Sequence, residues 1–242
     1  MKPEAFVERL SREKASAILR TNDQEKAALA MEAAIRGGFT ILEFTLTVPG
    51  ALELVQDFSK REGLVVGTGT AMDAQDVRDS VDAGARFVVA PVVDEVVIEA
   101  ATDLGVASMP GTHTPTEMLR AHRAGASLCK LFPAPAGGAV WAKSVLGPMP
   151  YLKIVPTNGV DEHNAAEWLK AGCFAVGFVN TLFVPEDIAE GTPVTISVLD
   201  VTIPAIVHWS RLRYAGVHLL ERLDSKTLRA LENAHDTFAE FR

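Results

Sequence analysis

Short apolar runs rich in β-branched residues recur along this chain at intervals of about 20 residues, and stretches with helical spacing separate them. There are eight such runs, at residues 16–20, 40–47, 64–70, 87–91, 106–111, 127–133, 152–159 and 174–180. Eight strands that are each followed by a helix are the count of a (β/α)8 barrel, so the pattern predicts this TIM-barrel fold in the α/β class.

The helical stretches between these runs begin and end at typical residues. Capping residues begin three of them, and glycine, which favours the turn at a helix C-terminus, ends them. The pairs of first capping residue and final glycine are Asp73 and Gly84, Thr114 and Gly125, and Asp161 and Gly172. An open, doubly wound sheet is the alternative fold, but the glycine-rich turn usual after its first strand is missing from "ILRTNDQEKA". The sequence therefore favours the barrel.

The alternation of strand and helix weakens near residue 185. We expect residues 1–185 to form the barrel and residues 186–242 to form an extension that packs on the barrel or on a neighbouring subunit. One short strand and one or two terminal helices are expected in this extension, which we therefore predict to be helical. Its helical spacing is clearest after Ser225, at Leu228, Leu231, Phe238 and Phe241.

Composition restricts the class of partner. The net charge of −8 disfavours nucleic acids and anionic membranes, but local hydrogen-bond donors can still bind a small anionic substrate. No apolar run approaches the roughly 20 residues of a membrane-spanning helix, and the N-terminus has no secretory-signal pattern. Cys129 and Cys173 lie in apolar surroundings and are predicted to be buried thiols instead of a disulfide. These features predict a cytoplasmic protein.

Two predicted strands carry one charged residue inside an apolar run, Lys130 in "SLCKLFP" and Glu43 in "TILEFTL". A closed barrel has no edge strand on which such charges could reach solvent. Burial lowers the pKa of a lysine, and the neutral amine can attack a ketone to form an imine. A nearby carboxylate can then move the protons of the reaction. The pair therefore predicts a Schiff-base aldolase that needs neither a metal nor a cofactor.

A buried ion pair without chemistry is the alternative interpretation. Glu43 would then pair with Lys130 or Arg20 in a non-catalytic barrel that serves as a subunit or a ligand-binding module. Such a pair is neutral for stability at best, which favours the catalytic interpretation.

Four segments of the chain carry a family resemblance: "GGFTILEFTLTVPGALELV", "VVGTGTAMDAQDVRDSVDAGARFVVAP", "SMPGTHTPTEMLRAHRAGASLCKLFPA" and "VPTNGVDEHNAAEWLKAGCFAVG". With "AILR" near the start, they resemble the 2-keto-3-deoxy-6-phosphogluconate (KDPG) aldolase family, which includes 4-hydroxy-2-oxoglutarate and galactonate-pathway aldolases. The resemblance implies a class I aldolase, usually a homotrimer, that cleaves KDPG to pyruvate and glyceraldehyde 3-phosphate. A 4-hydroxy-2-oxoglutarate aldolase and an unphosphorylated or galactonate-type sugar-acid aldolase are the alternatives.

The resemblance also assigns residues. The family's Schiff-base lysine corresponds to Lys130, and its catalytic glutamate corresponds to Glu43. Many members have an arginine where this chain has Thr47, and others have one where Arg20 stands, so we expect Arg20 to face the substrate carboxylate. The complete set of expected substrate-binding residues is Arg20, Thr47, Thr70, Pro91, Phe132, Thr157, Asn158, Gly159, Gly177 and Asn180.

The chain departs from the family where a phosphate would bind. Asn158 replaces one glycine of the usual "TGG", and the segment from Gly177 to Asn180, "GFVN", lacks the usual Gly-Ser step. Backbone donors at helix N-termini could still receive a phosphate. The residues expected to form pyruvate therefore match the family motifs, whereas the residues expected to bind the phosphate differ from them.

Overall fold

Between residues 15 and 178, strands and helices follow one another in the order that the sequence pattern predicts. The computed structural model describes residues 1–183 and the strands at 193–198, 201–211 and 214–219. The strands of the first unit are β1 (Ala15–Leu19), β2 (Ile41–Thr45), β3 (Val65–Gly69), β4 (Phe87–Val89), β5 (Ala107–Met109), β6 (Gly111–Thr112), β7 (Cys129–Leu131), β8 (Ile154–Pro156) and β9 (Val176–Phe178). Its helices are α1 (Pro3–Glu13), α2 (Gln24–Arg36), α3 (Ala51–Phe58), α4 (Ala74–Asp82), α5 (Glu95–Asp103), α6 (Pro115–Arg123), α7 (Gly138–Leu146) and α8 (Ala165–Lys170).

The strands are parallel and close into the predicted (β/α)8 barrel. They form two sheets, in the orders β5-β4-β3-β2-β1-β9 and β6-β7-β8. A bridge between Thr157 and Gly177 joins the β8 and β9 sides, and the Leu128 N–H donates to the Ser108 carbonyl at 3.3 Å to join the β7 and β5 sides. The predicted fifth strand is divided into β5 and β6 at Pro110, which has no N–H to donate.

Helix caps orient the loops at the C-terminal ends of the strands. Thr114 and Glu117 form a capping box at the start of α6, and the Asp73 carboxylate accepts from the N–H groups of Gln75 and Asp76 at the start of α4. Both caps are those predicted.

The predicted cap at Asp161 is wrong, because α8 begins only at Ala165 and its N-cap residue is Asn164. Asp161 instead closes a turn, in which its Oδ1 accepts from the N–H groups of His163 and Asn164, both at 2.9 Å. Local side-chain bonds of this kind compete with a helical first turn.

Helix α1 closes the N-terminal end of the barrel. Phe6 and Leu10 are each 1% exposed and pack among interior residues of the strands, including Ile41 and Leu128. The Phe6 ring stacks on Phe87 with 4.4 Å between centroids. The C-terminal ends of the strands lie at the opposite end of the barrel, which α1 leaves uncovered.

The second unit runs from Val184 to Arg242 and is described only in part. It contains an antiparallel sheet of β10 (Pro193–Val198), β11 (Val201–Arg211) and β12 (Tyr214–Leu219), in that order. The prediction of a mainly helical extension is wrong for residues 193–219. The structure has three strands there, whereas one short strand was predicted. Their high content of β-branched and aromatic residues favours strands. The helix predicted after Ser225 lies outside the described residues.

Cys129 and Cys173 are both buried free thiols. Burial raises the pKa of each thiol to about 12, so both stay protonated at neutral pH. Within the described part of the chain, none of the helices has the length and hydropathy needed to cross a membrane.

Candidate active site

Lys130 and Glu43 meet inside the barrel, as predicted, although their strands β7 and β2 lie far apart in sequence. Lys130 is 6% exposed and Glu43 is completely buried. The Lys130 Nζ lies 4.0 Å from the Glu43 Oε1, which is the outer limit of an ion pair. Both carboxylate oxygens of Glu43 are buried without a hydrogen-bond partner among the described residues. The pair is therefore close, but the polar atoms of Glu43 are left available.

Burial moves the pKa values of the two groups towards their neutral forms. Desolvation raises the pKa of Glu43, against the opposing effects of the Lys130 and Arg20 charges. Desolvation also lowers the pKa of Lys130; the Glu43 carboxylate opposes this shift and the Arg20 guanidinium adds to it. The neutral amine that a nucleophile requires is thus favoured.

Gly69 makes room for the Glu43 carboxylate. A Cβ at this position would overlap the Glu43 Oε1, so a side chain here would displace the carboxylate. Gly69 is not among the residues predicted for the site. The available signal was a glycine near the end of a strand whose neighbour, β2, carries the buried glutamate.

Arg20 and Thr70 lie at the ends of β1 and β3, and an Arg20 Nη2 donates to the Thr70 Oγ1 at 3.4 Å. Thr70 has a φ of +65°, which is an unusual left-handed conformation for a β-branched residue. Arg20 is exposed, and its charge influences the pKa values of both Glu43 and Lys130. The predicted carboxylate-binding arginine is therefore within electrostatic range of the buried pair.

The turn after β8 contributes three of the predicted residues. Thr157 is completely buried and its Oγ1 has no partner among the described residues, whereas Asn158 and Gly159 are exposed. A Cβ on Gly177 would lie 2.7 Å from the Thr157 Cγ2 and from the Ile18 Cδ1, so a side chain there would displace one of these two groups. Asn158 has a φ of +52°, a backbone conformation that asparagine adopts more readily than most residues.

The remaining predicted residues occupy the same end of the barrel. The Phe132 ring centroid lies 5.1 Å from the Lys130 Nζ, close enough for a cation–π contact when the amine is charged. The Thr47 and Thr45 hydroxyl groups lie 2.9 Å apart, and the Pro91 carbonyl approaches Gly111 so closely that a Cβ there would overlap it. Among the described residues, no hydrogen bond or ion pair joins Thr47, Pro91 or Asn180 to the central pair.

Comparison with known proteins agrees with this geometry. Residues 7–196 match the family model described as KDPG and KHG aldolase. A probable 2-dehydro-3-deoxy-6-phosphogalactonate aldolase of Rhizobium meliloti (strain 1021) is 35% identical over 172 residues, which are 70% of this chain and 81% of the relative. A 2-dehydro-3-deoxy-phosphogluconate aldolase of Pseudomonas aeruginosa is 35% identical over 168 residues, 68% of this chain and 76% of the relative.

A solved structure supports the same assignment. The KDPG aldolase of Legionella pneumophila, with pyruvate captured at low pH as a covalent carbinolamine intermediate, superimposes with a TM-score of 0.67 and 28% identity. The alignment covers 77% of this chain and 89% of that one. The chain belongs to the KDPG and KHG aldolase family and is a class I aldolase, a carbon–carbon lyase.

Proposed function

We propose that this aldolase cleaves a 2-keto-3-deoxy acid into pyruvate and an aldehyde through an imine on Lys130. The observation that carries the proposal is the buried pair itself. The Lys130 Nζ lies 4.0 Å from the Glu43 Oε1, and both carboxylate oxygens lack a hydrogen-bond partner within the described part of the chain. Burial also favours the neutral form of the Lys130 amine.

The reaction begins when the Lys130 Nζ attacks the keto carbon and forms a carbinolamine. The Glu43 carboxyl, whose pKa burial raises, donates its proton to the carbinolamine hydroxyl, so that water leaves and the protonated imine forms. The imine withdraws electrons from the neighbouring carbon–carbon bond, and Glu43 is now a carboxylate. Glu43 takes the proton of the C4 hydroxyl, the C3–C4 bond breaks, the aldehyde leaves, and the electron pair remains on an enamine. Protonation of the enamine at C3 and hydrolysis of the imine release pyruvate and free Lys130.

The keto-acid end is held by residues around the pair. Arg20 binds the substrate carboxylate, and its bond to Thr70 orients the guanidinium. The Thr157 hydroxyl, which has no partner among the described residues, donates to the same end. Phe132 packs beside the reacting nitrogen. Thr47, Pro91, Asn158, Gly159, Gly177 and Asn180 complete the substrate-binding set.

Two substrates are candidates. The names of the relatives favour a phosphorylated sugar acid, with KDPG, which gives glyceraldehyde 3-phosphate, as the first compound to test. The altered turn at Asn158 favours an unphosphorylated sugar acid as the second. We also propose a cytoplasmic homotrimer, which the family resemblance supports; light scattering of the purified chain tests the trimer.

Reduction with borohydride in the presence of pyruvate tests the imine. We expect intact mass to increase by one reduced pyruvyl group, and peptide mapping to place this group on Lys130. The Lys130→Ala variant should gain nothing, whereas Lys143→Ala, which removes an exposed amine of α7, should gain the same adduct as the unaltered chain.

The same experiment separates the enzyme from a non-catalytic barrel. A chain in which Lys130 only pairs with Glu43 would gain no adduct at any pyruvate concentration. An adduct on another lysine would also overturn the assignment of Lys130.

A further inference from the structure

We infer that the aldehyde end of this site accepts an uncharged group, with Asn158 as the residue that sets the preference. The inference rests on the proposed function and concerns the end of the substrate that faces away from Lys130. It would make an unphosphorylated 2-keto-3-deoxy sugar acid the preferred substrate.

The loops around the barrel mouth carry one basic and five acidic side chains. Arg20 is the only lysine or arginine in the described loops that follow the barrel strands, at residues 20–23, 46–50, 70–73, 90–94, 113–114, 132–137, 157–164 and 179–183. Five carboxylates lie in the same loops: Asp23, Asp73, Asp94, Asp161 and Glu162. Because Arg20 is needed for the keto-acid carboxylate, no second basic side chain in these loops remains for a phosphate.

Three of the seven helix N-termini at this mouth are occupied by carboxylates, whereas those of α3, α7 and α8 have no side-chain cap among the described residues. Carboxylates of Asp23, Asp73 and Asp94 accept the first N–H groups of α2, α4 and α5. These are the donors and positive dipole ends that would otherwise attract an anion. The two loop histidines are also engaged, since His113 contacts the Pro133 carbonyl and His163 lies 3.5 Å from Glu162.

The turn after β8 also disfavours a negatively charged group. Asp161 places a carboxylate there and uses the N–H groups of His163 and Asn164. The Asn164 side chain bonds back to the Gly159 carbonyl at 2.9 Å. Two backbone donors and one amide donor near this turn are thus engaged by the protein itself, beside a negative charge.

Asn158 lies on this turn, directly after the buried Thr157. Its side chain is exposed and has no hydrogen bond among the described residues. A neutral amide both donates and accepts, which suits a hydroxyl or aldehyde oxygen. The left-handed backbone at Asn158 means that glycine can replace it without strain, so its side chain can be tested in isolation.

Two sugar acids that differ only in the phosphate give the direct test. At low ionic strength we expect kcat/KM for 2-keto-3-deoxygluconate to exceed that for its 6-phosphate by at least about tenfold, because the phosphate has the same sign of charge as the five loop carboxylates. Added salt should reduce the difference by screening the loop carboxylates.

Single substitutions then test which residues cause the preference for the unphosphorylated substrate. Asn158→Gly should lower kcat/KM for the unphosphorylated compound about fivefold, as expected for one lost hydrogen bond, and move the ratio towards the phosphate ester. Asp161→Asn keeps an acceptor oxygen but removes the charge, and should raise the relative rate of the phosphate ester about threefold. Asp103→Asn, at the far end of α5, makes the same charge change away from the mouth and should leave the ratio unaltered.

The borohydride adduct separates the two proposals. An adduct on Lys130, together with equal or faster turnover of the phosphate ester, overturns the inference and leaves the proposed function intact. An unaltered substrate ratio in Asn158→Gly overturns the role of Asn158, provided that this variant still forms the pyruvate adduct and is therefore folded. Absence of the adduct in the unaltered chain overturns the proposed function itself.

Discussion

The two halves of the barrel interior differ in chemistry although the same strands build both. Near α1, the interior side chains are apolar and tightly packed, with Phe6 stacked on Phe87. Two residues further along β2, Ile41 gives way to Glu43, and two residues further along the segment around β7, Leu128 gives way to Lys130. Period two keeps each pair of residues on the same interior face.

The difference shows how one interior serves both stability and catalysis. Burying apolar side chains beside α1 stabilises the fold. Burying Glu43 and Lys130 does not, because the desolvation of two charges offsets their attraction. Thr157 adds another buried polar atom without a partner among the described residues. The apolar half near α1 therefore stabilises the fold, and this stabilisation offsets the free-energy cost of burying polar groups in the half at the mouth.

The largest expected effect comes from Glu43→Gln. The change keeps the shape of the side chain beside Gly69 but removes the group that moves protons, so kcat should fall by about 10²–10⁴. The stability to urea should stay the same or increase, because a desolvated acid is removed. Steady-state kinetics and urea unfolding measure the two results.

The matched control is Glu99→Gln on the exposed face of α5, which should change neither quantity. A Glu43→Gln variant with unaltered kcat would show that another group carries the protons.

Phe6→Ala tests the opposite half. Removing a completely buried phenyl ring should lower the free energy of unfolding by about 3–5 kcal/mol. The folded fraction should keep its kcat, because the ring lies at the end of the barrel remote from Lys130. Urea unfolding and activity per folded molecule measure the two effects. Phe39→Ala removes a partly buried ring at the edge of Phe178 and should cost less. A large loss of kcat in the folded Phe6→Ala protein would contradict the division of the interior.

The sequence predicted which residues would meet inside the barrel. Glu43 and Lys130 each stand alone as a charge inside an apolar run, and closure of eight strands left no exposed edge for them. It did not predict their 4.0 Å separation or the space beside Gly69, because these depend on how strands far apart in sequence approach one another.

Other differences arise from interactions that periodicity does not encode. The break at Pro110 follows from its missing N–H, and the late start of α8 follows from the side-chain bonds of Asp161. Closure of the barrel by α1 depends on tertiary packing. The strands after residue 193 contain many β-branched residues, which the prediction of a helical extension underweighted.

The pH dependence of imine formation provides a smaller test, specific to the charged half. An amine reacts when neutral, and because burial lowers the pKa of Lys130, the rising limb with saturating pyruvate should lie below pH 10.5. The Glu43 carboxylate raises the pKa of Lys130, so Glu43→Gln should move the limb to lower pH. Arg20 has the opposite effect, so Arg20→Gln should move it to higher pH. Rates of borohydride trapping across pH measure these shifts. Movement of both variants in the same direction would contradict the arrangement of charges around Lys130.

The smallest expected effect concerns backbone strain at the mouth. A left-handed conformation costs an ordinary L-residue about 1–2 kcal/mol, and Thr70 adopts it with a β-branched side chain. Thr70→Asn should therefore raise the free energy of unfolding by about 1 kcal/mol, since asparagine tolerates this conformation better. It should also lower kcat/KM, because the Thr70 hydroxyl that bonds to Arg20 is lost. Thr116→Asn, on the exposed surface of α6, makes the same exchange at ordinary backbone angles and should change neither quantity. Urea unfolding measures the free energy of unfolding of both variants, and steady-state kinetics measure their kcat/KM. A Thr70→Asn protein that is less stable than the unaltered chain would mean that the Arg20 contact outweighs the strain, so that this part of the mouth stabilises the fold.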